Sequence, residues 1–206
     1  MKPPSDDSFQ MGQFIHMKCP VCGKNGIVQN QSTLEIPHFG ELFISTLICS
    51  DCGYRHTDVM PTGKREPSRY TYRFRDEKGL SVRIVRSGSS TVKIPELGVS
   101  IDPGVAGEGY VTNIEGLLER ILGIIEHMDK DLKRKIDRGS GDLSNVKERI
   151  ENVGSMESRI YEHMNGEGSF TLIIEDPYGN SAIISERDDV QIDSLSEEEI
   201  FSLLEG

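Results

Sequence analysis

The sequence predicts an α+β chain, mainly β, in which a small four-cysteine ribbon precedes a β domain interrupted by a helical hairpin. Three observations predict it. The four cysteines among 206 residues fall as two close pairs within residues 19–52. From Tyr70 onward, short runs alternate apolar and polar residues between glycines and prolines, the mark of half-buried strands. Between residues 112 and 165 the alternation gives way to helical spacing, and strand patterning then returns.

Residues 1–13 read as a flexible leader, because Pro3, Pro4, Ser5, Asp6 and Asp7 offer little to bury. This start lacks the apolar stretch of a secretory signal. Apolar runs such as Leu172-Ile173-Ile174 are far too short to cross a membrane, so a cytoplasmic location is expected. Residues 14–60 hold the cysteines. Between the pairs, Leu34-Glu35-Ile36 and Leu42-Phe43-Ile44 read as a hairpin around residues 37–40. Residues 61–69, with Pro61, Gly63 and Pro67, read as a linker.

The β domain is expected over residues 70–206. Tyr70, Tyr72 and Phe74 alternate with Thr71 and Arg73; Val82 and Ile84 flank Arg83; Val92 and Ile94 flank Lys93; Val99 and Ile101 flank Ser100. Many short strands at this spacing suggest a sandwich or barrel. Thr112-Asn113-Ile114-Glu115 reads as a capping box opening a helix. Ile114, Leu117, Leu118, Ile121, Ile125, Met128 and Leu132 follow at helical spacing. A second helix is expected from about Ser144, carrying Val146, Ile150, Val153, Ile160 and Met164 and stopping at Asn165-Gly166. The insertion thus covers about residues 112–165, and its apolar stripe serves either the core or a partner groove. The run from Phe170 to Glu175 reads as a covered central strand. Asp176-Pro177-Tyr178-Gly179-Asn180 is turn chemistry, and Ala182-Ile183-Ile184 continues the ladder. Ser196-Glu197-Glu198-Glu199 caps a final helix with Ile200, Leu203 and Leu204.

The cysteines stand as Cys19-Pro20-Val21-Cys22-Gly23 and Cys49-Ser50-Asp51-Cys52-Gly53. In a reducing compartment, two such pairs point to metal rather than disulfides. In each knuckle the following glycine permits positive φ. Four thiolates satisfy one tetrahedral zinc ion, and no position remains for a catalytic water. The predicted ligands of one structural Zn²⁺ are therefore Cys19, Cys22, Cys49 and Cys52. His16, His38 and His56 lie nearby and read as surface or hairpin residues.

The net charge of -11 argues against a general nucleic-acid binder, because phosphate backbones need clustered cations. Residues 61–93 nevertheless carry nine basic and three acidic residues. Arg73, Arg75, Arg83 and Arg86 in this band either steer an acidic partner or form an ordinary solvated strand face. Further partner-contact candidates are Ile36, His38 and Phe39 near the hairpin tip, and Tyr178 in the turn. No Gly-x-Ser-x-Gly elbow, no Gly-Lys-Ser/Thr phosphate loop and no His-x-His pair is present, so the chain is not expected to be an enzyme.

These pieces resemble, in order, the ZPR-type zinc-finger proteins in their short single-module archaeal form. The matching ribbon pieces are Cys19-Pro20-Val21-Cys22, Ile36-Pro37-His38-Phe39-Gly40-Glu41 and Cys49-Ser50-Asp51-Cys52-Gly53-Tyr54. Further along are Ile94-Pro95-Glu96-Leu97, Asn113-Ile114-Glu115-Gly116-Leu117 and the stretch from Phe170 to Ser181. Tyr178 departs from the pattern, standing where the family is expected to have a small residue such as Ser. The resemblance covers about residues 15–195. It implies a zinc ribbon followed by a double-stranded β-helix, jelly-roll-like, with an inserted antiparallel helical hairpin. It also implies a protein-binding role: eukaryotic relatives carry the module twice and bind translation elongation factor 1-alpha, helping it fold. The expected function is thus a chaperone or binding partner of that factor, gripping it in a crevice between ribbon and β domain. The alternative is a nucleic-acid-binding zinc ribbon protein of transcription or translation.

Overall fold

The computed structural model describes residues 10–14, 17–36, 39–63, 65–103, 108–137 and 143–205. Three antiparallel sheets and three α-helices account for most of them.

The ribbon is one sheet of four strands in sequence order: β1 (Gln10–Phe14), β2 (Ile27–Ile36), β3 (Gly40–Cys49) and β4 (Arg55–Pro61). The expected hairpin is longer than its apolar pieces, since ten residues pair in continuous register from Ile27↔Cys49 to Ile36↔Gly40. Of the leader expected over residues 1–13, residues 1–9 lie outside the described residues, and the rest is not a leader. Gln10–Phe14 form β1, because the long β2 offers an outer edge whose backbone groups need partners. The interdomain connection is also shorter than residues 61–69, as β4 ends at Pro61 and β5 begins at Ser68.

The β domain is a sandwich. Its larger sheet has the order β12-β5-β10-β7-β8, with β5 (Ser68–Phe74), β7 (Thr91–Ile94), β8 (Val99–Ile101), β10 (Phe170–Asp176) and β12 (Val190–Ser194). The smaller has the order β11-β6-β9, with β6 (Arg83–Arg86), β9 (Tyr110–Asn113) and β11 (Ala182–Ile184). β5 shows the predicted period: Tyr70, Tyr72 and Phe74 are buried, while Thr71 and Arg73 are not. Opposite it, Leu172 and Ile174 of β10 are fully buried. Phe170 pairs with Phe74, and their rings stack at 4.7 Å.

The helical hairpin comprises α1 (Ile114–Asp137) and α2 (Leu143–Met164). Its cap sits one residue later than the sequence suggests: Asn113 Oδ1, not Thr112, accepts from the Gly116 N–H at 2.8 Å. Ile114, Leu117, Leu118, Ile121 and Ile125 of α1 and Ile160 of α2 are buried, so this part of the stripe is core and not an open groove. His163 clips the end of α2 to the sandwich, with its ring edge-on to Phe170 at 5.0 Å. The final helix α3 (Glu197–Glu205) carries the predicted capping box in full. The Ser196 N–H donates to Glu199 Oε2 at 2.8 Å, and the Glu199 N–H to Ser196 Oγ at 3.3 Å.

Ribbon and β domain are not two bodies on a tether. Ile36, Phe39, Leu42 and Val59 of the ribbon belong to the same buried cluster as Tyr70, Ile84, Ile94 and Ile174. The turn after β10 reinforces the junction. Gly179 has φ +68, and a side chain there would collide with the Glu66 carbonyl oxygen, so the turn lies directly on the connection.

Candidate metal centre and flanking surfaces

The ribbon's far end is organised by its cysteines. In the first knuckle the Gly23 N–H donates to the Cys19 carbonyl at 2.9 Å, and in the second the Gly53 N–H donates to the Cys49 carbonyl at 2.9 Å. Both glycines have φ near +70 (72 and 73), which costs a residue with a Cβ about 1–2 kcal/mol. The knuckles are clasped to one another. The Ser50 N–H donates to the Gly26 carbonyl at 2.8 Å, and Lys24 pairs with Asp51 at 3.0 Å. Ile27, Leu47 and Tyr54 pack around the cysteines in a small cluster separate from the main core.

All four Sγ atoms lie within 4.8 Å of one another. Cys19 to Cys52 and Cys22 to Cys49 are each 3.7 Å apart, far too long for a disulfide at about 2.05 Å. A tetrahedral zinc with Zn–S bonds of about 2.3 Å sets its sulfurs about 3.8 Å apart, so the donor set fits that ion in both chemistry and spacing. Without a cation, neighbouring sulfurs shift one another's ionisation. Burial pushes the Cys19 thiol up, but the backbone amides of Cys22 and Val21 and the neighbouring thiols bring it down to about 7. The Tyr54 amide favours the Cys52 thiolate, yet burial and the other three sulfurs push it up to about 12. A divalent cation removes that conflict and would join the knuckles as a structural cross-link.

The fold and this cluster match known proteins. Residues 13–67 match the model of the ZPR1 zinc-finger domain, and residues 78–201 match that of the ZPR1 jelly-roll domain. The chain belongs to the ZPR1 family. An uncharacterised ZPR1-like protein of Pyrococcus horikoshii is 38% identical over 100% of this chain and 86% of its own. A ZPR1-like protein of Methanocaldococcus jannaschii is 38% identical over 95% of this chain and 92% of its own. The zinc finger chaperone zpr1 of Schizosaccharomyces pombe is 32% identical over 81% of this chain, which corresponds to only 35% of the yeast protein.

The partner-contact candidates fare differently. Ile36 and Phe39 are buried, at 5% and 8% exposure. Phe39 faces the core, and the Arg65 guanidinium covers its ring at 3.9 Å. These two residues are packing, because they belong to the buried cluster that the ribbon shares with the β domain. His38, like His16, lies outside the described residues. His56 is part-buried on β4. Tyr178 is 55% exposed at the tip of its turn. The turn itself is held from within: Asp176 is fully buried and accepts from Ser87 Oγ at 2.7 Å, Ser89 Oγ at 3.0 Å, Ser181 Oγ at 2.6 Å and the Tyr178 N–H at 2.9 Å.

The basic band of this ZPR1-family chain is largely spent on internal contacts. Arg86 is not a steering residue: it is 4% exposed and donates to the carbonyls of Glu108 at 2.9 Å and Ser90 at 3.2 Å. Arg69 and Lys93 each bind the buried Glu175 at 2.7 Å. Burial pushes that carboxyl up, but these two cations hold it below the usual range. Arg73 lies 3.7 Å from Glu96, whose carboxylate also accepts from the N–H and hydroxyl of Thr171. Arg69 also binds Glu199 at 2.8 Å. The Ser196 N–H, and after it that Arg69 contact, draw the Glu199 carboxyl down to about 2. Among the described residues, Arg75, Lys78 and Arg83 form no ion pair, and all three are exposed. Also among the described residues, no helix is long and apolar enough to cross a membrane.

Proposed function

We propose that this chain acts by binding and not by catalysis, and that its client is translation elongation factor 1-alpha, which it holds in the cytoplasm while that GTPase reaches its folded state. The observation that carries the reading is the relationship to a zinc finger chaperone across 81% of the chain; the elongation factor itself comes from the family resemblance. The side chains that would otherwise suggest chemistry support binding too. The Asp176 carboxylate engages three hydroxyls and an amide, and the four clustered cysteines would fill one tetrahedral sphere around zinc. The nucleic-acid reading loses its main support, because Arg69, Arg73, Arg86 and Lys93 all have partners within the chain.

The test is refolding of denatured elongation factor 1-alpha, scored by recovered GTP binding. Greater recovery with the zinc-loaded chain, and a complex on gel filtration, are expected. Equal recovery with and without the chain, and no complex, would overturn the reading.

A further inference from the structure

Among the described residues, the ribbon leaves a strand edge open beside a cleft. β1 pairs with β2 only at Val28, Gln29 and Gln31. Among the described residues, no strand pairs with the outer edge of β2 beyond Gln31. The direction of the backbone groups there follows from the other side of the sheet. The Cys49 N–H donates to the Tyr54 carbonyl at 2.8 Å, and the Glu41 carbonyl accepts from the Thr62 N–H at 3.1 Å. Odd-numbered residues of β3 therefore turn their backbone groups towards β4, and the residues paired with them on β2 turn theirs outward. Thr33 pairs with Phe43 and Glu35 with Glu41. Each thus offers an outward N–H and C=O, and both residues are exposed.

A hollow of about 550 Å³ lies between this part of β2 and the smaller sheet, lined by Leu34, Glu35, Ile36, Arg83, Val111 and Asn113 among others. It adjoins a second hollow of about 510 Å³ that reaches Lys78 and Ile184, and the two share Ser81 and Arg83. Leu34 is 41% exposed on this side. Arg187 in the outer hollow is paired with Asp76 at 3.1 Å. Arg83, where the two hollows meet, is exposed and forms no ion pair among the described residues. An added strand gains affinity from main-chain bonds, while a neighbouring hollow selects its alternate side chains. Partly folded proteins present unpaired strand edges of this kind.

We infer that the outer edge of β2 at Thr33 and Glu35 accepts an extended segment of a partner protein as an added strand, with an apolar side chain against Leu34 and Val111 and a carboxylate against Arg83. The inference rests on the protein-binding reading above and assigns it a surface.

Hydrogen–deuterium exchange on the zinc-loaded full chain tests it, using a short synthetic peptide that alternates valine and glutamate and a valine–lysine peptide as control. The Thr33 and Glu35 amides exchange freely in the protein alone and become protected when the valine–glutamate peptide is added. Thr33→Pro removes an edge N–H without breaking a β2–β3 bond and abolishes binding. Arg83→Glu, an exposed substitution that leaves folding intact, weakens binding roughly tenfold or more. Protection of both amides in the protein alone would assign the edge to residues 1–9 or to a second copy and overturn the inference, as would equal binding of the lysine peptide. Peptide binding without any help to elongation-factor refolding sinks the proposed client and keeps the edge. Refolding help that survives both substitutions sinks the edge and keeps the client.

Discussion

Replacing Phe39 with alanine separates a packed tip from an exposed one. Phe39 is 8% exposed and clustered with Ile36, Leu42 and Val59. Truncating a buried phenylalanine costs about 3–5 kcal/mol. The site lies at the margin of the core, where Arg65 can settle into part of the space, so the low end applies, about 3 kcal/mol. Losing the guanidinium over the ring at 3.9 Å adds about 0.5–1 kcal/mol. For a chain of this size each kcal/mol moves the melting temperature by about 2–4 °C, so Phe39→Ala is expected to melt roughly 6–12 °C or more below wild type. Zinc content is unchanged, since the cysteines pack in a separate cluster. Circular dichroism melting with metal analysis measures both. Tyr178→Ala is the control: at 55% exposure it costs under about 0.5 kcal/mol. A Phe39→Ala protein that melts within about 2 °C of wild type yet no longer binds its client would refute the packing argument and return Phe39 to the surface.

Cys49→Ser is expected to lose its zinc and expose the Ile27–Tyr54 cluster to rapid exchange while the sandwich stays folded, as read by metal analysis and amide exchange. Arg86→Ala strands buried carbonyls and lowers stability by about 2–4 kcal/mol, whereas Arg83→Ala stays within about 0.5 kcal/mol; equal melting temperatures would contradict the burial of Arg86. The Glu199 carboxyl is lowered to about 2 from an unfolded value of about 4.3. The stability it contributes is therefore complete above that unfolded value and is lost as pH falls towards about 2. Melting across that range is expected to show the loss, and Glu199→Gln to flatten it. Gly179→Ala is expected to destabilise by roughly 1–3 kcal/mol, because φ +68 and the Glu66 carbonyl both oppose a Cβ; an unchanged melting curve would mean that the turn moves freely.

Some of these placements have a signal in the sequence. Val82, Ile84 and Arg86 share one parity, so a strict period of two already turns Arg86 inward, where it lies 4% exposed. In β12, Val190 and Ile192 alternate, but Asp188, Asp189 and Asp193 around them masked the strand. β1 has little signal of its own: Gln10-Met11-Gly12-Gln13-Phe14 is a strand because β2 presents an edge to it.

By itself the sequence determined the knuckles, the helical hairpin, the Ser196 capping box and the alternating strands, since each depends on residues a few positions apart. Tertiary structure alone decided that Phe39 is core, that Arg86 is enclosed, and that Asp176 gathers serines from two loops. The reason is one of range. A cap or a knuckle satisfies its polar groups locally, and its residue types announce it. Whether a ring or a guanidinium is covered depends on what the chain brings over it from afar: Arg65 for Phe39, and the carbonyls of Ser90 and Glu108 for Arg86. No local pattern carries that information.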